Sequence, residues 1–133
     1  MKRVIPLLLS LAVVVAVAGC GGGGGGGGDT SEKTSTAALT SCDINGKQQD
    51  LGASSVTSIE VAGVDCGQAQ KVVVAYHHCR QQNGGAGGTC KTAVLGFTCT
   101  ESPRQEVPGV QFNATADCRK GGAEIKSSYT QNF

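Results

Sequence analysis

The chain has 133 residues, and its formal charge of +1 comes from 11 basic and 10 acidic side chains. Neither a basic stripe for nucleic acid nor an acidic run for binding many cations is present, because the charges are scattered. Two Tyr, three Phe and no Trp leave little aromatic mass for a core. Only one small domain fits this length once leader and linker are set aside, and its core is marginal without covalent help.

Residues 1–19 read as a leader. Lys2 and Arg3 supply the positive start, and Val4 to Ala18 is apolar apart from Pro6 and Ser10. That run is too short for a comfortable bilayer span, which takes about 20 apolar residues. Val17-Ala18-Gly19 then sets small residues before Cys20. Charged start, apolar run and small-residue site together make a secretory signal. The cysteine at the cut point resembles the lipobox of a bacterial lipoprotein signal. The resemblance implies export, cleavage before Cys20, and a diacylglycerol thioether with an N-acyl chain of the palmitate kind on Cys20. It implies attachment to the outer face of the plasma membrane, or to an outer membrane in a two-membrane cell. Two or more acyl chains give stable attachment where one does not. The rival reading is an ordinary signal peptide with an incidental Cys20.

Residues 20–40 form the anchor and linker. Eight glycines, Gly21 to Gly28, precede a polar Ser/Thr-rich stretch from Asp29 to Thr36. Such sequences behave as coils reaching about 25 Å over 20 residues. After cleavage nine basic and ten acidic residues remain.

Residues 41–133 form the domain. Its cysteines are Cys42, Cys66, Cys79, Cys90, Cys99 and Cys118. An even set in an exported domain predicts three disulfides. Cys79 and Cys90 flank a glycine-rich stretch, Asn83 to Gly88, which must be mobile unless stapled. Cys99 and Cys118 fall on the inward faces of neighbouring strands. Folding at Pro108-Gly109 sets them opposite each other, although Pro-Gly prefers a type II turn that fits a two-residue hairpin poorly. Cys42–Cys66 is then left, with a staple from Cys66 to Cys99 or Cys118 as the rival.

Asn45-Gly46 marks a turn, in either a small hairpin or a leading arm. Ser58 to Val64 alternates as a strand, with Ile59 and Val61 on one face. Asp65 to Gln82 is the predicted helix. Asp65 caps it, Gln68 completes a capping box, and Ala69, Val72, Val73 and Tyr76 share the buried face. Asn83-Gly84-Gly85 offers left-handed caps. Three strands follow. Val94 to Thr100 turns Leu95, Phe97 and Cys99 inward. Val110 to Cys118 turns Val110, Phe112, Ala114, Ala116 and Cys118 inward, with Gln111, Asn113, Thr115 and Asp117 outward. Ala123 to Thr130 turns Ala123, Ile125 and Tyr129 inward, after a turn at Arg119 to Gly122. The expected architecture is α+β: one helix on a small antiparallel sheet of about four strands, stapled by disulfides.

Val64-Asp65-Cys66-Gly67-Gln68-Ala69, Gly96-Phe97-Thr98-Cys99 and Cys118-Arg119-Lys120-Gly121 also carry a family pattern. From Ile59 to Tyr129 the chain resembles a small domain common in exported actinobacterial proteins of unknown function. The pair Cys79/Cys90 departs from that pattern. The resemblance implies a fold and an envelope location, and no activity.

Candidate chemistry is sparse. His77-His78-Cys79 holds both histidines, but neighbours on a helix point about 100° apart and do not share a metal easily. A surface pair on the helix is the plainer reading, and no metal or cofactor is expected. Asp43, Asp50, Glu60 and Asp65 offer carboxylates with nothing to fix a catalytic pair, and no catalytic residue is assigned. No Gly-x-Ser-x-Gly elbow, phosphate loop or Cys-x-x-Cys occurs. Asn113-Ala114-Thr115 matches a glycosylation acceptor. The expected role is that of a non-catalytic envelope domain, binding an envelope protein or polymer or simply structural. The polar outer sheet face or the glycine-rich loop would do the binding. The alternatives are an envelope hydrolase, or an inhibitor presenting Gln82 to Thr89 or Pro103 to Gly109 to a protease. The sequence carries no signal for oligomeric state.

Overall fold

A computed structural model describes residues 37–133. The expected leader (1–19), the lipidation site Cys20 and the linker up to residue 36 lie outside the described residues.

The elements run β1 (Thr40–Ser41), β2 (Ser55–Ala62), α1 (Cys66–Gln82), a 3-10 turn (Gly85–Gly87), β3 (Thr98–Glu101), β4 (Gln105–Val107), β5 (Gln111–Lys120) and β6 (Ala123–Asn132). One antiparallel sheet takes the order β1-β2-β6-β5-β3, and β4 also pairs with β5. The α+β expectation therefore stands, but the sheet has six strands rather than about four. The additional two are short, at two and three residues. A strand that brief shows no alternation to read.

Helix α1 begins where the sequence predicts. Asp65 takes extended backbone and its Oδ1 accepts from the Gln68 N–H at 2.9 Å. The described residues show no return bond from the Gln68 side chain, so the cap is one-sided. Ala69, Val72, Val73 and Tyr76 are buried against the sheet. The helix closes with its orphan carbonyls satisfied locally, as the Asn83 N–H reaches the Cys79 and Arg80 oxygens. Asn83 itself is not left-handed, with φ −108°; Gly84 and Gly85 take the positive φ values.

The sheet's inner face carries Val56, Ile59 and Val61 from β2, Phe112, Ala114, Ala116 and Cys118 from β5, and Ile125 and Tyr129 from β6. Small alanines at the sheet centre leave room for the helix to approach. The arm before β2 is tied down rather than free. The Cys42 N–H donates to the Ile59 carbonyl, and Ile44 and Leu51 are buried.

Disulfides join Cys42 to Cys66, Cys79 to Cys90, and Cys99 to Cys118. The last pair sits directly across β3 and β5. The intervening turn solves the Pro-Gly difficulty by adding a residue. The Val110 N–H donates to the Val107 carbonyl across Pro108-Gly109, and Gly109 takes φ 70°. That φ suits the third position of a type II turn, where glycine is preferred. Gln111, not Val110, then faces Val107. Crossing residues 102–104 restores the register that sets Cys99 against Cys118.

Two predicted inward residues are corrected by turns. Val110 is displaced into the Pro108-Gly109 turn and is exposed. Leu95 is also exposed, because Val94 and Phe97 exchange both backbone hydrogen bonds around Leu95-Gly96. What reads as one strand from Val94 is a tight hairpin followed by β3.

Candidate functional site

The densest polar cluster lies under the helix and is centred on Glu101. Because Glu101 pairs with Ala116 on the inner face of the sheet, its carboxylate is directed at the helix. Its Oε2 accepts from the Tyr76 and Tyr129 hydroxyls, each at 2.7 Å, and lies 3.3 Å from Arg80 Nε. Its Oε1 accepts from Arg104 Nε at 2.6 Å. Burial alone would raise the Glu101 carboxyl. The hydrogen bonds from Arg104, Tyr129 and Tyr76 outweigh it and hold the group below the usual carboxylate range. Both tyrosine hydroxyls are pushed up, first by burial and then by bonding to that anion.

The two arginines use their remaining donors on the glycine-rich loop. Arg80 Nε and Nη2 donate to the Gly88 and Ala86 carbonyls, and Arg104 Nη1 and Nη2 to those of Gly87 and Gly88. Phe112 carries both guanidiniums on its ring, with centroid distances of 5.4 Å for Arg80 and 4.2 Å for Arg104. Arg80 Nη1 also lies 3.0 Å from His77 Nδ1. A guanidinium only donates, so Nδ1 accepts, and the neutral ring carries its proton on Nε2. That Nε2 is buried without a hydrogen-bond partner.

This cluster is a cross-brace. Glu101 is ionised, accepts three hydrogen bonds and has the Arg80 cation beside it, which leaves it no proton to give and makes it a poor base. Its charge lets Arg80 be buried and Arg104 half-buried, and lets them pin a segment with almost no side chains of its own to pack.

The expected surface pair at His77-His78 is corrected here. His77 is fully buried and His78 is exposed. The ring of His77 stands edge-on to Tyr129, centroids 4.5 Å apart. One turn of helix before Arg80, it is drawn in by that side chain. Among the described residues no group of three or more His, Cys, Asp or Glu side chains is arranged to hold a metal.

The four carboxylates singled out in the sequence are not brought together. Asp65 caps the helix, Asp43 accepts from the Asn45 N–H, Glu60 sits opposite Lys126 between β2 and β6, and Asp50 is exposed. The two loops considered for protease inhibition are held in place. The stretch from Gln82 to Thr89 is clamped by the arginines. Most of Pro103 to Gly109 is strand β4 and its turn.

The opposite face of the sheet is different. None of the described elements covers it. Asn113 and Thr115 project from β5 here, as the alternation predicts, and are joined by Ser128 and Thr130 from β6 and Thr57 from β2. With Ser102, Pro103 and Gln105 as one wall, they line an open hollow of about 280 Å³. The wall exists because the chain bulges between β3 and β4. The Ser102 N–H donates to the Thr115 carbonyl, and Ser102 Oγ accepts from the Thr115 N–H.

The polar groups of the hollow are oriented by one another. Thr130 Oγ1 donates to Asn113 Oδ1 at 2.7 Å, and the Thr115 and Ser128 hydroxyls are 3.1 Å apart. Thr57 Oγ1 donates to the Ser128 carbonyl. The Asn113 and Gln105 amide N–H groups have no partner among the described residues and face solvent. No charged side chain lines the hollow. The charges lie further along the strands, where Arg119 pairs with Asp117 and Glu124, and Lys126 with Glu124. Gln111 points the same way as Asn113 but lies outside the lining.

Alternation in β5 and β6 is sufficient to place Asn113, Thr115, Ser128 and Thr130 on this face. Thr57 is hidden by a bulge in β2 between Val56 and Ser58, and Ser102 and Gln105 by the break between β3 and β4. No protein-family model matches the chain, and no curated protein or solved structure matches it. Three disulfides in a small domain are compatible with an extracytoplasmic location.

Proposed function

We propose that this is an exported protein, lipid-anchored through Cys20, whose stapled domain binds an envelope partner on the uncovered face of its sheet. The leader and the cysteine at its cut point support the address. One observation supports the mode. The buried ionic groups are spent on bracing the fold, whereas the outer face keeps an uncharged hollow with free amide donors and oriented hydroxyls. Such a surface holds and releases; it has no group poised to exchange a proton. The loops and carboxylates that an inhibitor or a hydrolase would need are already engaged or far apart.

The test is covalent capture from native membranes, using the lipidated chain and a variant with Asn113→Ala, Thr115→Ala and Thr130→Ala. Each net hydrogen bond contributes about 1 kcal/mol, so losing three should weaken capture roughly a hundredfold. The melting temperature should move little, because these side chains lie on the surface. Undiminished capture by the triple variant would remove the sheet-face reading. Separately, Cys20→Ala should shift the protein from the membrane to the soluble fraction. Retention on the membrane would remove the anchor.

A further inference from the structure

The sheet has two ends, and the chain enters at only one of them. Thr40 pairs with Val61, Val61 with Ile125, and Ala62 with Glu124. Lys120 pairs with Ala123 and Thr98 with Arg119. The entry point at Thr40, the hairpin at Gly121-Gly122 and the hairpin at Leu95-Gly96 therefore share one end of the sheet. The turn at Pro108-Gly109 and the final residue, Phe133, lie at the other.

Leu95 is unusual there in two independent ways. It is a large apolar side chain with 54% of its surface exposed. It is also the one non-glycine among the described residues with positive φ, at 49°. Two-residue hairpins at such φ favour Asn, Asp or Gly, and a leucine there is strained. Strain held at an exposed position points to a use for the side chain. Lys120 lies alongside, its ammonium 3.0 Å from where a Cβ on Gly96 would sit and 5.7 Å from the Phe97 ring centroid. It makes no ion pair among the described residues. At the base of the hairpin the Val94 N–H donates to the Phe97 carbonyl and the Phe97 N–H to that of Val94, whereas the Leu95 and Gly96 backbone groups at the tip have no partner among the described residues. The Leu95 side chain can thus enter the acyl boundary only as far as leaves the Leu95 and Gly96 backbone groups among hydrated headgroups.

We propose that this tip, Leu95 with Lys120 beside it, rests on the membrane to which Cys20 is anchored. The inference rests on the lipoprotein reading above. A leucine that enters the acyl boundary and a lysine that meets anionic headgroups are the pairing that interfacial elements use. The described chain enters the sheet at Thr40, on the end that carries this tip, and that is the argument for the anchoring membrane as the occupant. Contacts this small do not hold a free domain on lipid. Tethering supplies the effective concentration that lets them orient one already there. The hollow on the outer face then stands clear of lipid. Seven residues of β5 separate Asn113 from Lys120, about 24 Å at strand rise.

The absence of native tryptophan makes the test direct. Leu95→Trp and, as a distal reporter, Val110→Trp are placed in the full lipidated chain. The proteins are reconstituted in vesicles of phosphatidylcholine and phosphatidylglycerol, with and without brominated lipid. Val110 is a demanding comparison, because with Val107 and Phe133 it forms the more apolar end of the domain. The proposal expects blue-shifted emission quenched several-fold at position 95, and water-like unquenched emission at position 110. Water-like emission at 95, or equal quenching at both, overturns it. Hydrogen exchange of the unsubstituted lipidated chain gives the same reading without a tryptophan. Amides of residues 93–97 should gain protection on vesicles relative to the soluble Cys20→Ala form; no gain overturns the proposal. Leu95→Asn should raise the melting temperature by a few degrees while abolishing that gain, and a lowered melting temperature would refute the strain. Intact mass separates the two levels. A chain without lipid overturns the anchor and the docking together, whereas a lipidated chain with an unprotected tip overturns the docking alone.

Discussion

Arg80 imposes a protonation state on its neighbour. Because the guanidinium donates to His77 Nδ1, a second proton on that ring would have to displace it and would add a buried charge beside a cation. Burial first, and then Arg80, push the His77 pKa from the usual 6.5 down to about 3. The unfolded chain therefore takes up a proton that the folded domain refuses between those values. Stability contributed by a neutral His77 is whole above about pH 6.5 and is lost as pH falls, by up to about 1.4 kcal/mol per pH unit. Glu101 acts lower. Its carboxyl is held below the ordinary range, so its contribution is present above that range and is lost only at more acid pH. Urea unfolding at pH 7 and pH 5 isolates the histidine, and the unfolding free energy should drop by about 2 kcal/mol between them. His77→Gln keeps an acceptor near Arg80 and removes the titration, so its stability should be nearly level across that interval. Equal stability of the parent protein at the two pH values would contradict the assignment.

At the scale of elements, the glycine-rich stretch after α1 shows how a segment without side chains is held. Its ends are joined by Cys79–Cys90, and its carbonyls are gripped by arginines from the helix and from the turn between β3 and β4. Gly88 sits so close to the end of α1 that a Cβ there would overlap the Arg80 carbonyl oxygen. Gly88→Ala must therefore push the loop off the helix and weaken the bonds that Gly88 accepts. A loss of about 2–3 kcal/mol is expected in chemical denaturation. Gly122→Ala is the comparison, since nothing lies within 4 Å of a Cβ there. If the two variants are equally stable, the loop is not clamped. Sequence periodicity reaches the long elements and stops at this kind of contact. Helix α1 is legible from Asp65, Ala69, Val72, Val73 and Tyr76, and most of β5 and β6 from the alternation up to Cys118 and from Ala123 to Thr130. The Glu101 brace is not legible, because its members come from α1, β3, the following turn and β6, and no local spacing relates Arg80 to Arg104. Leu95 and Val110 mislead for a related reason: each continues an alternating pattern into a turn.

Across the described domain, one helix covers one face of a sheet, and the staples join segments that no long ladder of strand pairing ties together or pin a short strand to a long one. Cys42–Cys66 ties the leading arm to the start of α1, Cys79–Cys90 closes the glycine loop, and Cys99–Cys118 pins short β3 to long β5. The outer face is legible in the sequence as polar alternation, but the hollow on it is not, since its wall depends on the register break between β3 and β4. A disulfide typically contributes about 2–4 kcal/mol, and a domain of this size has a total stability of about 5–15 kcal/mol. Three bridges thus contribute an amount comparable to the whole margin of folding. The fully reduced domain should be largely unfolded at 37 °C, whereas the oxidised one melts in a single transition. Backbone NMR spectra with and without reductant decide this. Oxidised protein should show dispersed strand amides, and reduced protein should collapse to the narrow range of an unfolded chain. Intermediate losses should follow the geometry. Opening Cys99–Cys118 alone leaves β3 held by its ladder to β5 and by Glu101 beneath the helix, so that reduced form should keep most of its dispersion. A fully reduced chain that retained the oxidised spectrum would mean that the Glu101 brace and the small core suffice, and that the bridges only slow unfolding.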